Sequence, residues 1–213
     1  MRARHKPWAD DFLKENTAIV ELNPASRKGN WKQEISDGKP IHLEIGTGKG
    51  SFIDGMAANY PSVQFVGMEL VKSIIVSAVE KVKNTGRSNV TFINENAEKL
   101  TEIFAENEVD QLFLNFSDPW PKNRHEKRRL TFHTFLSQYQ QILKPGGQLV
   151  MKSDNRGLFE YSLVSLSQFG CTLEEVTFDL HQLDDPMNVM TEYEEKFSAK
   201  GQPIYRCRVS FPK

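Results

Sequence analysis

Glu44 stands two residues before Gly46, which opens a run with Gly48 and Gly50, and a second acid, Glu69, follows about one helix and one strand later. Glycine lets a chain turn with positive φ and lets its backbone come close to a ligand. Taken alone, the three glycines imply only a nucleotide-like ligand. Their spacing is G-x-G-x-G, not the dinucleotide pattern G-x-G-x-x-G. Glu69 is placed to accept hydrogen bonds from both hydroxyls of a ribose. Glu44 puts a negative charge beside the turn, which repels a pyrophosphate. A ligand carrying a sulfonium and an ammonium and no phosphate suits that charge, and S-adenosylmethionine is such a ligand. A nicotinamide dinucleotide fits the charge and the spacing poorly.

A second set of residues lies further along, Phe116-Ser117-Asp118-Pro119-Trp120-Pro121-Lys122. Each proline fixes its own φ and restricts the residue before it, so Asp118 is held on a stiff loop. Trp120 is placed either to stack on a base or to pack as a lid. Lys122-Asn123-Arg124-His125-Glu126-Lys127-Arg128-Arg129 follows, with five Lys or Arg in eight residues. Such a run is either a solvated face or a phosphate-binding footprint. Arg2, Arg4, Lys6, Arg27, Lys28 and Lys32 are available to extend it. With 27 Lys and Arg against 28 Asp and Glu, the formal net charge is −1, so any polyanion must be met by a local patch. His125 and His133 carry no assignable role of their own.

The elements that must position these residues follow from the hydrophobic pattern. The chain has 213 residues, enough for one domain with a small appendage. Cys171 and Cys207 have no metal-ligand spacing, which points to free thiols and no metal. The first residues lack the apolar stretch of a signal peptide, and no run approaches the roughly 20 residues of a membrane span. A cytoplasmic protein is expected, with no membrane partner. Residues 1–39 are poorly periodic and read as a basic arm with a short helix near Trp8, Phe12 and Leu13. From residue 40 strands at 41–45, 63–68, 90–93, 109–116 and 148–152 alternate with helices at 51–59, 71–83, 98–104, 130–143 and 158–169, with a turn at 144–147. Two further strands, 173–178 and 204–211, close the chain around a long polar stretch. This predicts an α/β fold over 40–213: a doubly wound, mostly parallel Rossmann-like sheet with helices on both faces and an antiparallel strand near the C-terminus. The loops at the carboxyl ends of the strands then share one rim, where ligands bind. Glu44, Glu69, Asn96, Asp118 and Asp154 all fall on it.

The glycine turn, with an acid closing the second strand, resembles motifs I and II of class I S-adenosylmethionine methyltransferases. That resemblance implies that Glu69 holds the ribose, that Asn96 lies beside the adenine, and that the backbone at Gly46 and Gly48 passes under the methionine moiety. Ser117–Lys122 with its basic cluster, Lys152-Ser153-Asp154 and Thr191-Glu192-Tyr193-Glu194 resemble the bacterial tRNA (guanine-N7-)-methyltransferases. The likeness runs from about Pro40 to the C-terminus. It implies a tRNA substrate methylated on a guanosine of the variable loop, by a monomer or homodimer. It also implies that Asp118, Lys122, Asp154, Thr191, Glu192, Tyr193 and Glu194 contact the guanosine or the reaction site, with Asp118 bordering the cofactor. The run Arg124, His125, Glu126, Lys127, Arg128 and Arg129 would then contact RNA.

The chemistry stands on its own terms. Guanine N7 carries an in-plane lone pair, so no base is needed before attack, and catalysis is mainly positioning. Methylation moves positive charge onto the purine, which a nearby carboxylate stabilises most in the transition state. The N1–H and N2–H donors of guanine suit a second carboxylate. Asp118 serves one of these roles, and Asp154 or Glu194 the other. Two other readings remain: an S-adenosylmethionine enzyme acting on a small molecule or another RNA, and a non-enzymatic RNA-binding subunit that kept the fold.

Overall fold

The computed structural model describes residues 6–183 and 185–212, so Arg2 and Arg4 lie outside the described residues. The elements are α1 (Ala9–Glu15), α2 (Trp31–Glu34), β1 (Ile41–Ile45), α3 (Ser51–Asn59), β2 (Gln64–Met68), α4 (Lys72–Thr85), β3 (Val90–Ile93), α5 (Leu100–Ile103), β4 (Val109–Asn115), α6 (His133–Ile142), β5 (Leu143–Ser153), α7 (Arg156–Phe169), β6 (Thr172–Thr177), α8 (Glu192–Ser198) and β7 (Tyr205–Ser210). One sheet has the strand order β3-β2-β1-β4-β5-β7-β6. The pairs from β3 through β5 are parallel, and β7 runs antiparallel to both β5 and β6. The mostly parallel sheet with a reversed C-terminal strand is therefore present.

This order decides where a site can form. From β1 the chain winds outward to β2 and β3, whereas β4 and β5 lie on the other side. The loops leaving β1 and β4 therefore part at the carboxyl ends and open a crevice. Alternation along the strands feeds two cores. Ile41, Leu43 and Ile45 pack with Leu136, Tyr139, Phe159 and Leu166 of α6 and α7 on one face. Phe65, Phe92 and Phe113 pack with Phe52 and Ile53 of α3 and Val76 and Val79 of α4 on the other. Residues 42 and 44, between the apolar positions of β1, face this second layer. A parallel sheet covered on both faces forbids a charge there without partners, so Glu44 marks something other than packing.

Three segments differ from the pattern. The residues before β1 show little periodicity, yet they pack onto the domain. Trp31 is fully buried, and its indole N–H donates to the Ile103 carbonyl at 2.9 Å. Glu108 accepts the backbone N–H groups of Gly29, Trp31 and Ala105. The cations of this segment serve the same packing: Arg27 pairs with Glu21 and Glu34, Lys28 donates to the Thr101 carbonyl, and Lys32 reaches Asp110 at 3.3 Å. Asp110 also accepts the N–H of Ile41 at the start of β1, so Lys32 sits at the edge opposite the rim. Second, β5 begins at Leu143 and runs through the expected turn 144–147 with a register irregularity against β4. A Cβ on Gly147 would lie 2.9 Å from the Lys144 carbonyl oxygen and 3.0 Å from that of Asp110, so only glycine permits that backbone approach. Third, the polar stretch before β7 contains α8, which has one buried residue, Glu194. A helix with so small an apolar face leaves no hydrophobic period to read.

Candidate active site

The turn after β1 folds over the end of β2, where the Met68 carbonyl accepts the N–H groups of Gly46 and Thr47. Gly46, Gly48 and Gly50 have φ of 78°, 60° and 84°. Their reasons differ. A Cβ on Gly50 would lie 2.8 Å from the Ala78 Cβ, so that glycine lets α3 and α4 touch. A Cβ on Gly46 would meet nothing within 4 Å, and one on Gly48 only the Gly46 carbonyl at 3.9 Å. The backbone at these two positions thus borders open space that a ligand can fill.

Glu69 is buried at the end of β2. Its two oxygens accept the N–H groups of Gly48 at 3.1 Å and Val71 at 2.9 Å. Burial, reinforced by the nearby Asp118 charge, raises its carboxyl above the usual range. Each oxygen keeps a lone pair for another donor, which fits a ribose with two hydroxyls. Asn96 begins the short turn after β3 and accepts the N–H of Glu98.

Beneath the crevice lies a buried polar network. Glu44 accepts the Thr47 hydroxyl at 2.6 Å and the Asn115 amide at 2.8 Å. Asn115 ends β4, so this contact spans the gap between the two diverging loops. Burial pushes the Glu44 carboxyl up to about 7. Lys152, near the end of β5, donates to Glu194 at 2.6 Å, to the Val189 carbonyl at 2.8 Å and to Asn188 at 3.2 Å. Its side chain is 3% exposed and that of Glu194 0%. Asn188 and His181 approach the other Glu194 oxygen at 2.9 and 3.3 Å. Glu194 is thus enclosed by the protein's own donors.

The same pair draws the tail over the rim. Thr191 caps α8 by accepting the Glu194 N–H. Glu192 accepts from Lys81 of α4 at 2.7 Å, and Lys81 also donates to Ser51, the first residue of α3. The Tyr193 ring lies 5.1 Å from that of Phe116 and stacks on Phe197. Its hydroxyl donates to Asp154 Oδ2 at 3.0 Å, as does Gln202 at 2.8 Å. Asp154 Oδ1 takes no hydrogen bond among the described residues.

Asp118 is exposed on the loop after β4, and its carboxylate makes no hydrogen bond or ion pair among the described residues. The loop starts and ends in costly backbone states, with Phe116 at φ 53° and Trp120 at 41°. Non-glycine residues hold such angles only where the surroundings over-determine them, at about 1–3 kcal/mol each. Two buried polar atoms on this stretch, Asn115 Oδ1 and Ser117 Oγ, have no partner among the described residues, and a polar ligand would satisfy them. The basic run divides. Lys122, Arg124 and Lys127 are exposed and unpaired among the described residues. Arg128 lies over the Trp120 ring at 4.8 Å, and Arg129 over the Tyr161 ring at 4.2 Å. His125 meets Trp120 edge-on at 5.7 Å, and Glu126 lies near the Tyr161 hydroxyl, which burial and that carboxylate raise above the usual phenol range.

The structure therefore brings Glu44, Gly46, Gly48, Glu69 and Asp118 to one crevice, with Asp154 and Tyr193 linked beside it. Sequence reasoning passed over Asn115, Thr47 and Lys152 as site residues. A signal existed for Lys152: it is a charge closing the apolar run Leu149-Val150-Met151 of a central strand, where only a paired charge survives burial.

A protein-family model described as "Putative methyltransferase" matches residues 38–207. The chain is 59% identical over 213 residues to the tRNA (guanine-N(7)-)-methyltransferase of Oceanobacillus iheyensis, with 100% of both chains covered. It is 55% identical over 211 residues to the tRNA (guanine-N(7)-)-methyltransferase of Bacillus subtilis, with 99% of each covered. Among solved structures it is similar to the 16S rRNA methyltransferase KamB, with a TM-score of 0.66 at 13% identity, over 86% of this chain and 94% of that one. The last likeness is one of fold alone.

Proposed function

We infer the roles of the rim residues from the premise that the chain belongs to the tRNA (guanine-N(7)-)-methyltransferase family, and so methylates guanine N7 in tRNA with S-adenosylmethionine. The observation that carries the assignment of the site is the position of Asp118. It is an exposed carboxylate on a stiff loop after β4, with no hydrogen bond or ion pair among the described residues, and its charge is felt by Glu69, while the backbone of Gly46 and Gly48 borders open space after the adjacent β1. Glu69 takes the ribose hydroxyls, Asn96 borders the adenine, and Glu44 supplies the negative charge beneath the methionine end. S-adenosylmethionine supplies the electrophilic methyl group when bound.

Asp118 acts without removing a proton. It faces the purine and stabilises the positive charge that grows on the base as N7 bonds to carbon. Asp154, with one oxygen free among the described residues, accepts from the Watson–Crick edge, and Tyr193 orients that carboxylate. Lys122, Arg124 and Lys127 hold phosphates. Thr191, Glu192 and Glu194 act at one remove, by seating α8 so that Tyr193 reaches Asp154. The target is a guanosine of the variable loop, and presenting its N7 costs a few kcal/mol of local unpacking. We place the enzyme in the cytoplasm, with its tRNA substrate. Among the described residues no helix is long and apolar enough to cross a membrane.

Mass mapping of nucleosides after incubation with bulk tRNA lacking 7-methylguanosine tests this reading. The expected product is 7-methylguanosine within the variable loop; methyl groups on another nucleoside, or none, would refute it. The charge at Glu44 gives a separate expectation. Its carboxyl is raised to about 7 by burial, and a cationic ligand favours the ionised form. Proton release therefore accompanies binding below that pH, and affinity for S-adenosylmethionine strengthens as pH rises from the acid side to about 7, by up to tenfold per unit of pKa displaced. Glu44→Gln removes that pH dependence. Calorimetric affinities that are flat over this range in the unaltered enzyme would exclude the ionic role.

A further inference from the structure

We propose that Arg129 is a positioning residue that holds the Asp118 loop in its reactive shape, and that it contacts no tRNA phosphate. The proposal rests on the assignment of Asp118 to the reaction site. Arg129 directs Nε and Nη2 to the Trp120 carbonyl at 3.3 and 3.1 Å. Its guanidinium plane lies 4.2 Å from the centre of the Tyr161 ring, and Tyr161 belongs to α7, a helix anchored in the core by Leu158, Phe159 and Leu166. The Glu126 carboxylate lies near the hydroxyl of that tyrosine and, after burial, raises it further. Arg129 therefore links the reactive loop to a rigid element, with Nε–H and an Nη2–H directed into the protein.

The loop needs such a link. Pro119 and Pro121 fix their own φ, and Pro121 restricts the ψ of Trp120, which leaves the φ of Trp120 to be set from outside. Trp120 sits at φ 41°, a state that the prolines do not select. Two N–H groups converging on its carbonyl fix the orientation of the Trp120–Pro121 peptide. Arg128 over the indole and His125 at its edge then fix the side chain. Asp118 is two residues upstream, so an error in this peptide displaces its carboxylate directly. A lysine has no planar fork and cannot reproduce either the double donation or the stack on Tyr161. The five cations of the run thus divide by what they engage: Lys122, Arg124 and Lys127 are exposed and unpaired among the described residues, Arg128 is exposed but lies over the Trp120 ring, and Arg129 is half-buried against the loop and Tyr161.

The test compares Arg129→Lys and Arg129→Gln with Arg124→Gln, reading tRNA affinity against salt, single-turnover rate at saturating tRNA, and S-adenosylmethionine affinity. Arg129→Lys keeps the charge and the stem, so the folded enzyme remains measurable if the glutamine variant fails. The expected result is a rate about a hundredfold lower in both Arg129 variants, the scale of a displacement near 1 Å at a reacting group. Their salt slope and cofactor affinity stay unchanged. Arg124→Gln instead lowers the salt slope by about one. A reduced salt slope in Arg129→Gln with the rate preserved would overturn the proposal, as would full activity in Arg129→Lys. If the unaltered enzyme methylates no tRNA, the functional assignment fails instead, and the salt slopes still report whether Arg129 meets phosphate.

Discussion

Replacing Asp118 with alanine is expected to lower the single-turnover rate by two to three orders of magnitude, with S-adenosylmethionine affinity changed only a few-fold. The magnitude is that of removing one preorganised electrostatic group aimed at charge that develops in the transition state, about 10² to 10³. Asp118 suits this test because the fold asks so little of it. Its carboxylate is exposed, it makes no hydrogen bond or ion pair among the described residues, and Phe116 and Trp120 set the loop on either side. Thermal stability should therefore be unchanged, which separates a chemical loss from a structural one. Asp118→Asn refines the reading. An amide keeps the shape and one acceptor but carries no charge, so a variant as inactive as alanine identifies charge stabilisation as the dominant role. Substantial recovery would identify base orientation. Activity within tenfold of the unaltered enzyme in the alanine variant would remove Asp118 from the catalytic assignment altogether.

Asp118 was legible in the sequence because everything that marks it is local: the prolines, the preceding strand and the adjoining cations lie within a few residues. The glycine turn and Glu69 were legible for a related reason, since each ends a strand and the α/β winding puts strand ends on one rim. What the sequence does not display is which partner a charge chooses. The five cations after Pro121 are alike on paper, yet the Trp120 carbonyl and the Tyr161 ring take Arg129 out of the set facing solvent. Arg27 and Lys32 look like arm charges and are engaged by Glu21, Glu34 and Asp110. Glu194 looked like a carboxylate offered to guanine, and it is fully buried against Lys152, a residue 42 positions away. Long-range pairing of this kind has no period and no spacing, so only the fold reveals it.

The Lys152–Glu194 pair makes the other large effect calculable in direction. Among the described residues, Lys152→Met leaves the Glu194 carboxylate buried with no ion-pair partner except His181, and Glu194→Met leaves the buried ammonium with none. Breaking one side of a buried pair costs about 3–5 kcal/mol, and each single variant is expected to lose that much stability in urea unfolding. The double variant Lys152→Met with Glu194→Met removes both desolvated charges and fills the space with apolar groups, so most of the loss should be recovered. Activity should not recover with it. Lys152 also holds Asn188 and the Val189 carbonyl, and these contacts, with the cap on α8, are what carry Tyr193 to Asp154. A stable but poorly active double variant is therefore the expected outcome, with its defect in the reaction persisting at saturating cofactor. A double variant no more stable than the worse single one would show that the pair is held by its surroundings and not by mutual attraction. One that regains full activity would show that α8 is seated without it. Full activity without the Glu194 carboxylate would also exclude that residue from the set that contacts the guanosine.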